Sequence, residues 1–329
     1  YASGNLVKVI GKEVSIPIPL PYWGVDFNPS FFNVFTNRSV NTFFNYQGKV
    51  INTFEERNFY YYFSDSSFIY YDRVSKRLMY NDLELVRGKI LSSYIFDELL
   101  FFEKENKIQT INFLSGQFLW EFSLASLGKW KNPYTDEEID FQVRRFIGIY
   151  NGIFWVFLNA EGFIGLDIET GELKYRIPEY HQAIGKTSTS SYDDSKGFFR
   201  SDYLLDNEKG KILGLAVDVF IEIDLTQEPP FVTQYGLQEE FEKYNIKKAN
   251  DIAEDFVVQD NLLYFYLTEQ LKFGILDINT KEIIYVSEPI AVVERDDSFT
   301  RLRDLKVSEN KVYILDSNHT LHIFEREKL

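Results

Sequence analysis

The chain of 329 residues contains no cysteine. Disulfides, thiolate catalysis, Cys-ligated zinc and iron–sulfur clusters are therefore excluded. The compartment is not settled by this: a reduced cytoplasm and a disulfide-free bacterial envelope both permit it, with the envelope slightly ahead. Histidine is scarce as well, at His181, His319 and His322. No H-x-x-x-H or H-E-x-x-H spacing occurs, so no His-based metal site is expected. A G-x-S-x-G elbow, a P-loop and a dinucleotide fingerprint are all missing. No apolar run approaches the roughly 20 residues of a spanning helix, so membrane insertion is not expected. Basic residues are in deficit, 35 against 50 acidic ones, for a formal charge of −15. That field opposes nucleic-acid phosphates and anionic membranes and favours a basic partner, although solubility alone also accounts for it. The first residue is Tyr1, which implies a processed or trimmed chain and is compatible with loss of a signal peptide.

Aromatic side chains are abundant: 17% of the chain, with 31 Phe and 22 Tyr. They fit pleated, half-buried surfaces, so the composition leans towards β structure. The stretch "GFIGLDIETGELKYRI", Gly162 to Ile177, reads as strand, tight turn, strand. Leu166 and Ile168 alternate about Asp167, and Leu173 and Tyr175 about Lys174. Thr170 and Gly171 supply the turn, with Gly171 free to take a positive φ. Just upstream, Asn151-Gly152 joins two apolar runs, the strongest short hairpin signal. Residues 145–177 thus predict four antiparallel strands: 145–150, 153–158, 162–168 and 172–177.

The same unit fits 22–55, 58–87, 90–122, 201–235 and 255–287, the second of these raggedly. A last unit at 301–326 has three strands, "RDLKV", "KVYILD" and "TLHIFER". The N-terminal "LVKVIGKEVSIPI" is β-like without an evident local partner, and is expected to supply the missing strand. Such repeats predict an all-β fold: a single β-propeller domain over 1–329, with four-stranded antiparallel blades. Seven blades are expected, with six or eight as the neighbouring counts, in a ring closed by the N-terminal strand. The x-Asp-x-x-Thr-Gly-x turn resembles the repeat of quinoprotein-like propellers. "GLDIETGELKY" matches it well; "INFLSGQFLWEF" and "ILDINTKEIIY" match in part. Enzymes of that family usually carry a Trp after the Gly. Here Trp120 stands there once, and Tyr175 and Tyr285 take the equivalent places. The vicinal cysteine pair that those enzymes often place over the quinone is absent. The resemblance implies the fold and argues against a quinone, and no cofactor is expected.

Long insertions fall between blades at about 124–143, 178–200, 236–254 and 288–300. In up-down-up-down blades these loops emerge on one face, where binding usually resides. Thr135 and Glu138 form a capping-box pattern, predicting a short helix from Asp136 to about Arg145. Leu237, Phe241 and Tyr244 share a helical face in the third insertion. Capping the propeller and contacting a partner are both open to these helices. Trp130 and Tyr134 form the candidate aromatic anchor, against packing beneath their loop. Tyr192, Asp193 and Asp194 lie in a polar loop, and Arg295 and Arg301 in a charged one; solvated surface is the plainer reading of both. His181 is the histidine to test as an acid or base. Trp120 and Trp155 fall in strands and are expected in the core.

Two functional readings follow. The first is a non-enzymatic binding or scaffold propeller whose partner is another protein, as in envelope accessory or immunity proteins. The second is a carbohydrate-active or other hydrolytic propeller using central carboxylates about 5–10 Å apart. Asp136, Glu137, Glu138, Asp140, Asp193, Asp194, Asp296 and Asp297 are the acidic candidates.

Overall fold

The structure, a computed structural model, describes residues 2–3, 6–9, 14–17, 24–27, 31–35, 40–45, 49–55, 57–64, 67–72, 74–131, 137–159, 162–177, 203–216, 219–246, 252–268, 270–290, 302–316 and 320–326. These residues fall into two compact units, Tyr1–Ser123 and Leu124–Leu329. Both are built from antiparallel sheets whose strands pair in chain order.

The first unit holds four sheets. Sheet 1 is β1 (Ala2–Ser3), β2 (Leu6–Val9) and β3 (Val14–Pro17). Sheet 2 is β4 (Gly24–Phe27), β5 (Phe31–Phe35), β6 (Val40–Asn45) and β7 (Val50–Glu55). Sheet 3 is β8 (Arg57–Ser64), β9 (Ser67–Asp72), β10 (Arg77–Tyr80) and β11 (Leu83–Arg87). Sheet 4 is β12 (Ser93–Phe96), β13 (Leu99–Lys104), β14 (Lys107–Asn112) and β15 (Gln117–Ser123).

The second unit opens with a 3-10 turn at Leu124–Leu127 and a hairpin of β16 (Lys129–Lys131) and β17 (Glu138–Asp140). Sheet 5 is β18 (Val143–Tyr150), β19 (Ile153–Leu158), β20 (Phe163–Asp167) and β21 (Leu173–Ile177). Sheet 6 is β22 (Leu204–Asp206), β23 (Lys211–Ala216), β24 (Val219–Asp224) and β25 (Phe231–Gly236). The helix α1 (Gln238–Lys243) leads to sheet 7: β26 (Ile252–Gln259), β27 (Leu262–Leu267), β28 (Lys272–Asp277) and β29 (Glu282–Val286). Sheet 8 has three strands: β30 (Leu302–Ser308), β31 (Lys311–Asp316) and β32 (Leu321–Glu325).

Every four-strand unit read from the sequence coincides with a sheet, including the ragged 58–87. Two expectations are corrected. The N-terminal segment does have a local partner. Leu6 and Val7 pair with Ser3 and Ala2 on one edge and with Pro17 and Ile16 on the other. Both edges of Leu6–Val9 are thus paired, and Val14–Pro17 is paired on one edge among the described residues. The helix expected at Asp136–Arg145 is replaced by strands. Glu138–Asp140 pairs with Lys129–Lys131, and β18 begins at Val143. Trp130 and Ile139 lie opposite each other in that hairpin, a cross-strand contact that a helix would forgo.

Within each unit, successive sheets from sheet 2 onwards share apolar cores. Phe43 of sheet 2 packs with Tyr70 and Met79 of sheet 3. Ile69, Tyr71 and Leu78 meet Leu100, Phe102 and Ile111 of sheet 4. In the second unit Trp155, Phe157 and Phe163 pack against Tyr203, Ile212 and Ile221 between sheets 5 and 6. Further cores join sheets 6 to 7 and 7 to 8. The leading strands adjoin as well, β18 with β22 and β26 with β30. Successive sheets of this unit therefore stack face to face, with β23 rather than β22 adjoining β26 between sheets 6 and 7.

The recurrent turn between third and fourth strands has one chemistry. Asp167 Oδ1 accepts from the N–H groups of Glu169 and Thr170 at 3.0 and 2.9 Å, and from Thr170 Oγ1 at 3.1 Å. Asp277 accepts likewise from Asn279 and Thr280, and Asn112 from Ser115. Gly171 closes its turn at φ 74°, Gly116 at 73° and Lys281 at 62°.

Gly171→Val should destabilise the protein by about 1 kcal/mol or more, read from urea unfolding, because a β-branched residue is strained at that φ. The Thr170 N–H, with the turn's other donors, holds the Asp167 carboxyl below its usual range. A folded value below the unfolded one means the contribution is complete above the unfolded pKa and is lost as pH falls through the folded one. Asp167→Asn keeps the acceptor, as Asn112 does in sheet 4. The stability gap between wild type and this variant should therefore shrink from about pH 6 to about pH 3.

Candidate functional site

The first insertion is a hairpin fixed to sheet 5. Leu124, Leu127 and Phe141 are buried beneath it. Arg176 of β21 donates from Nη1 to the Leu127 carbonyl at 3.1 Å. Its guanidinium lies 5.3 Å from the Phe141 ring centroid. Trp130 is half-buried on this hairpin opposite Ile139, while exposed Glu138 and Asp140 stand opposite Lys131 and Lys129 on its other face. The arrangement offers a half-buried aromatic side chain on a braced support.

Trp130 is the one residue of the expected binding set that falls among the described residues. Tyr134, His181, Tyr192, Asp193, Asp194, Arg295 and Arg301 lie outside them, so no geometry joins Trp130 to the others. Asp136, Asp296 and Asp297 also lie outside. Trp120 and Trp155 are buried, as expected of strand positions. Trp155 stacks on Tyr175 with centroids 5.5 Å apart. Among the described residues, no three His, Asp or Glu side chains come together as a metal site.

The third insertion has the expected helix, and its apolar face is spent on packing. Leu237 and Phe241 are buried in the core shared by sheets 6 and 7, and Tyr244 packs beside them. Glu240 Oε2 accepts from the Ile283 N–H of β29 at 2.9 Å, which ties the helix to that strand. A second tie joins the same two sheets. Glu222 accepts from Lys211 at 2.9 Å and from Lys281 at 3.0 Å. The Lys281 amine also sits 4.8 and 4.7 Å from the ring centroids of Phe220 and Tyr235. Burial pulls its pKa below the usual lysine range, against the pull of Glu222.

A second surface was not legible as a site in the sequence. An apolar cleft of about 360 Å³ opens between sheets 7 and 8. Phe273, Ile284, Tyr285, Val312 and Phe324 form its walls, and Asn310 and Arg326 stand at one end. Ile284 and Tyr285 are 49% and 45% exposed, and Leu321 and Ile323 of β32 are 54% and 56% exposed. Burial raises the pKa of Tyr264 on the cleft's inner side. The signal that points here is the one-strand deficit of the unit at 301–326. In sheet 5, Tyr175 occupies the place of Tyr285, and its hydroxyl donates to Glu228, in the turn before the fourth strand of sheet 6. Sheet 8 has no fourth strand among the described residues, and Tyr285 is left exposed.

No family model and no curated protein matches the sequence. Solved structures do match in fold. The crystal structure of BamB from Moraxella catarrhalis aligns with a TM-score of 0.55 at 9% identity, over 92% of this chain and 84% of that one. That of Sqt1 from Saccharomyces cerevisiae gives 0.52 at 10% identity, over 91% and 82%. Both are β-propellers, and at such identities the likeness speaks for fold alone. Together with the stacked antiparallel sheets, it places this chain in the all-β, β-propeller class.

The cleft separates buried from exposed positions, and mutation should follow that line. Phe273, 2% exposed, should lose about 3–5 kcal/mol of stability on replacement by Ala. Ile284→Thr and Ile323→Thr keep β-branching at exposed sites and should each change stability by under about 1 kcal/mol. Urea unfolding of the three variants checks the contrast.

Proposed function

We propose that this chain is a non-enzymatic binding propeller whose partner is another protein with basic character. The observation that carries the reading is the braced hairpin, which holds Trp130 half-buried opposite Ile139. Aromatic side chains concentrate binding energy, and surrounding charge governs encounter more than residence. The net charge of −15 supports a basic partner in the same sense. Tyr134 completes the anchor in this reading. The other insertions add Tyr192, Asp193, Asp194, His181, Arg295 and Arg301 to the contact face. The eight sheets of three or four strands are each read as a blade, one more than the seven units of the sequence. The Asp-x-x-Thr-Gly turn supports kinship with quinoprotein-like propellers without their quinone chemistry.

Co-purification from the native host supplies the partner, and surface plasmon resonance tests the face. Trp130→Ala and Tyr134→Ala should raise the off-rate at least tenfold, corresponding to about 1.4 kcal/mol. Charge reversal at Asp193 and Asp194 should slow association at low salt, and the effect should fade as salt is added. If all these variants bind like wild type, the proposed face is wrong.

A further inference from the structure

Among the described residues, sheet 8 has one strand fewer than sheets 5, 6 and 7. In sheets 5, 6 and 7 the third strand lies between two others, and β20, β24 and β28 are buried along nearly their whole length. The third strand of sheet 8, β32, alternates exposed and half-buried residues instead. Its hydrogen bonds show which way its backbone faces. Arg326 N donates to Asn310 O at 2.7 Å, and Asp316 N to Thr320 O at 3.1 Å. With Ile314 opposite His322 and Val312 opposite Phe324, the even-numbered residues of β32 exchange bonds with β31. Leu321, Ile323 and Glu325 therefore turn their N–H and C=O groups to the open edge.

The edge and the cleft are parts of one vacancy. A strand added beside β32 would place alternate side chains next to His322 and Phe324. Those side chains point towards sheet 7, into the cleft walled by Phe273, Ile284 and Tyr285. The remaining side chains would lie beside Leu321 and Ile323. Edge strands are normally blunted by proline, lysine or a covering loop. β32 carries no proline and no lysine, and its charge, Glu325, stands at its end.

We infer that the edge of β32 and the adjoining cleft take up an extended segment of a partner protein as the fourth strand of sheet 8. The segment is about five residues long, rich in β-branched or aromatic side chains, and flanked by Lys or Arg. Charge selects this occupant over a second copy of the chain. Two chains of −15 repel each other, whereas basic flanks are drawn to the negative field of the whole protein, which outweighs Arg326 beside Glu325 at the strand end. Main-chain bonds to Leu321, Ile323 and Glu325 supply affinity, and the cleft selects the side chains. The hairpin surface around Trp130 takes no part, so this inference goes beyond the proposed function and fails separately from it.

The test uses the full chain and a fluorescein-labelled peptide, Lys-Val-Thr-Val-Tyr-Val-Lys. Two controls accompany it, one with the central Val replaced by Pro and one with Glu flanks. Wild type should bind the first peptide saturably and each control at least tenfold more weakly. Ile323→Pro removes an N–H that faces outward, so β31 loses no bond. It should weaken the peptide at least tenfold with an unchanged melting temperature. Ile284→Lys narrows the cleft from the other side and should weaken it comparably, which keeps the test open if the proline variant misfolds. No binding to wild type would overturn the inference, since the edge would then be covered by the chain itself. Unchanged affinity in both variants would overturn it too, as would a wild-type dimer in sedimentation that Ile323→Pro dissolves. A native partner that Trp130→Ala releases but Ile323→Pro and Ile284→Lys do not would leave the proposed function standing and reject the added strand.

Discussion

A four-stranded antiparallel sheet with apolar residues on both faces is not stable in water by itself, and this requirement shapes the second unit. The strands β19, β24 and β27 each bury nearly every residue, odd and even alike. Ordinary surface sheets alternate apolar with polar. Here both faces need a neighbour, and sheets 5 to 8 supply one another with cover. Large rings fill the space between them. Phe157, Phe163 and Tyr203 meet with centroids 4.7 to 4.8 Å apart. The high aromatic content is thus a consequence of stacking sheets, because rings span the gap between two pleated faces.

Polar contacts then set the register of the stack. Carboxylate-capped turns fix where third strands reverse. The Glu222 cluster ties sheet 6 to sheet 7 with two lysines, one of them desolvated between aromatic rings. Lys281 serves twice: its backbone takes the left-handed conformation that Gly171 takes in sheet 5, and its side chain reaches the neighbouring sheet.

The strand units were legible because alternation and turn residues are local signals. Asn151 and Gly152 show this, with φ of 47° and 74° in the expected hairpin. The first insertion was misread because Thr135 and Glu138 satisfy a helix-start pattern. The pairing of Trp130 with Ile139 across the intervening loop is a non-local fact. The local pairing of the N-terminal segment was missed for another reason: the three-stranded unit at 301–326 drew it away from its immediate neighbours. Helix α1 was read correctly in its face, but burial between two sheets could be seen only after folding. Of the candidate site, Trp130 was legible as an aromatic in an insertion. The cleft was not, since its walls come from five strands of two sheets.

Function in this account depends on where cover is incomplete. The hairpin presents Trp130 on a braced support, and β32 turns an unpaired edge beside an apolar cleft. Hydrogen exchange, resolved residue by residue by NMR on the free protein, tests that asymmetry most directly. The amides of His322 and Phe324, bonded to β31, should exchange slowly, and those of Leu321, Ile323 and Glu325 should exchange orders of magnitude faster. Equal, strong protection of all five would contradict the open edge and mean that the sheet is already complete.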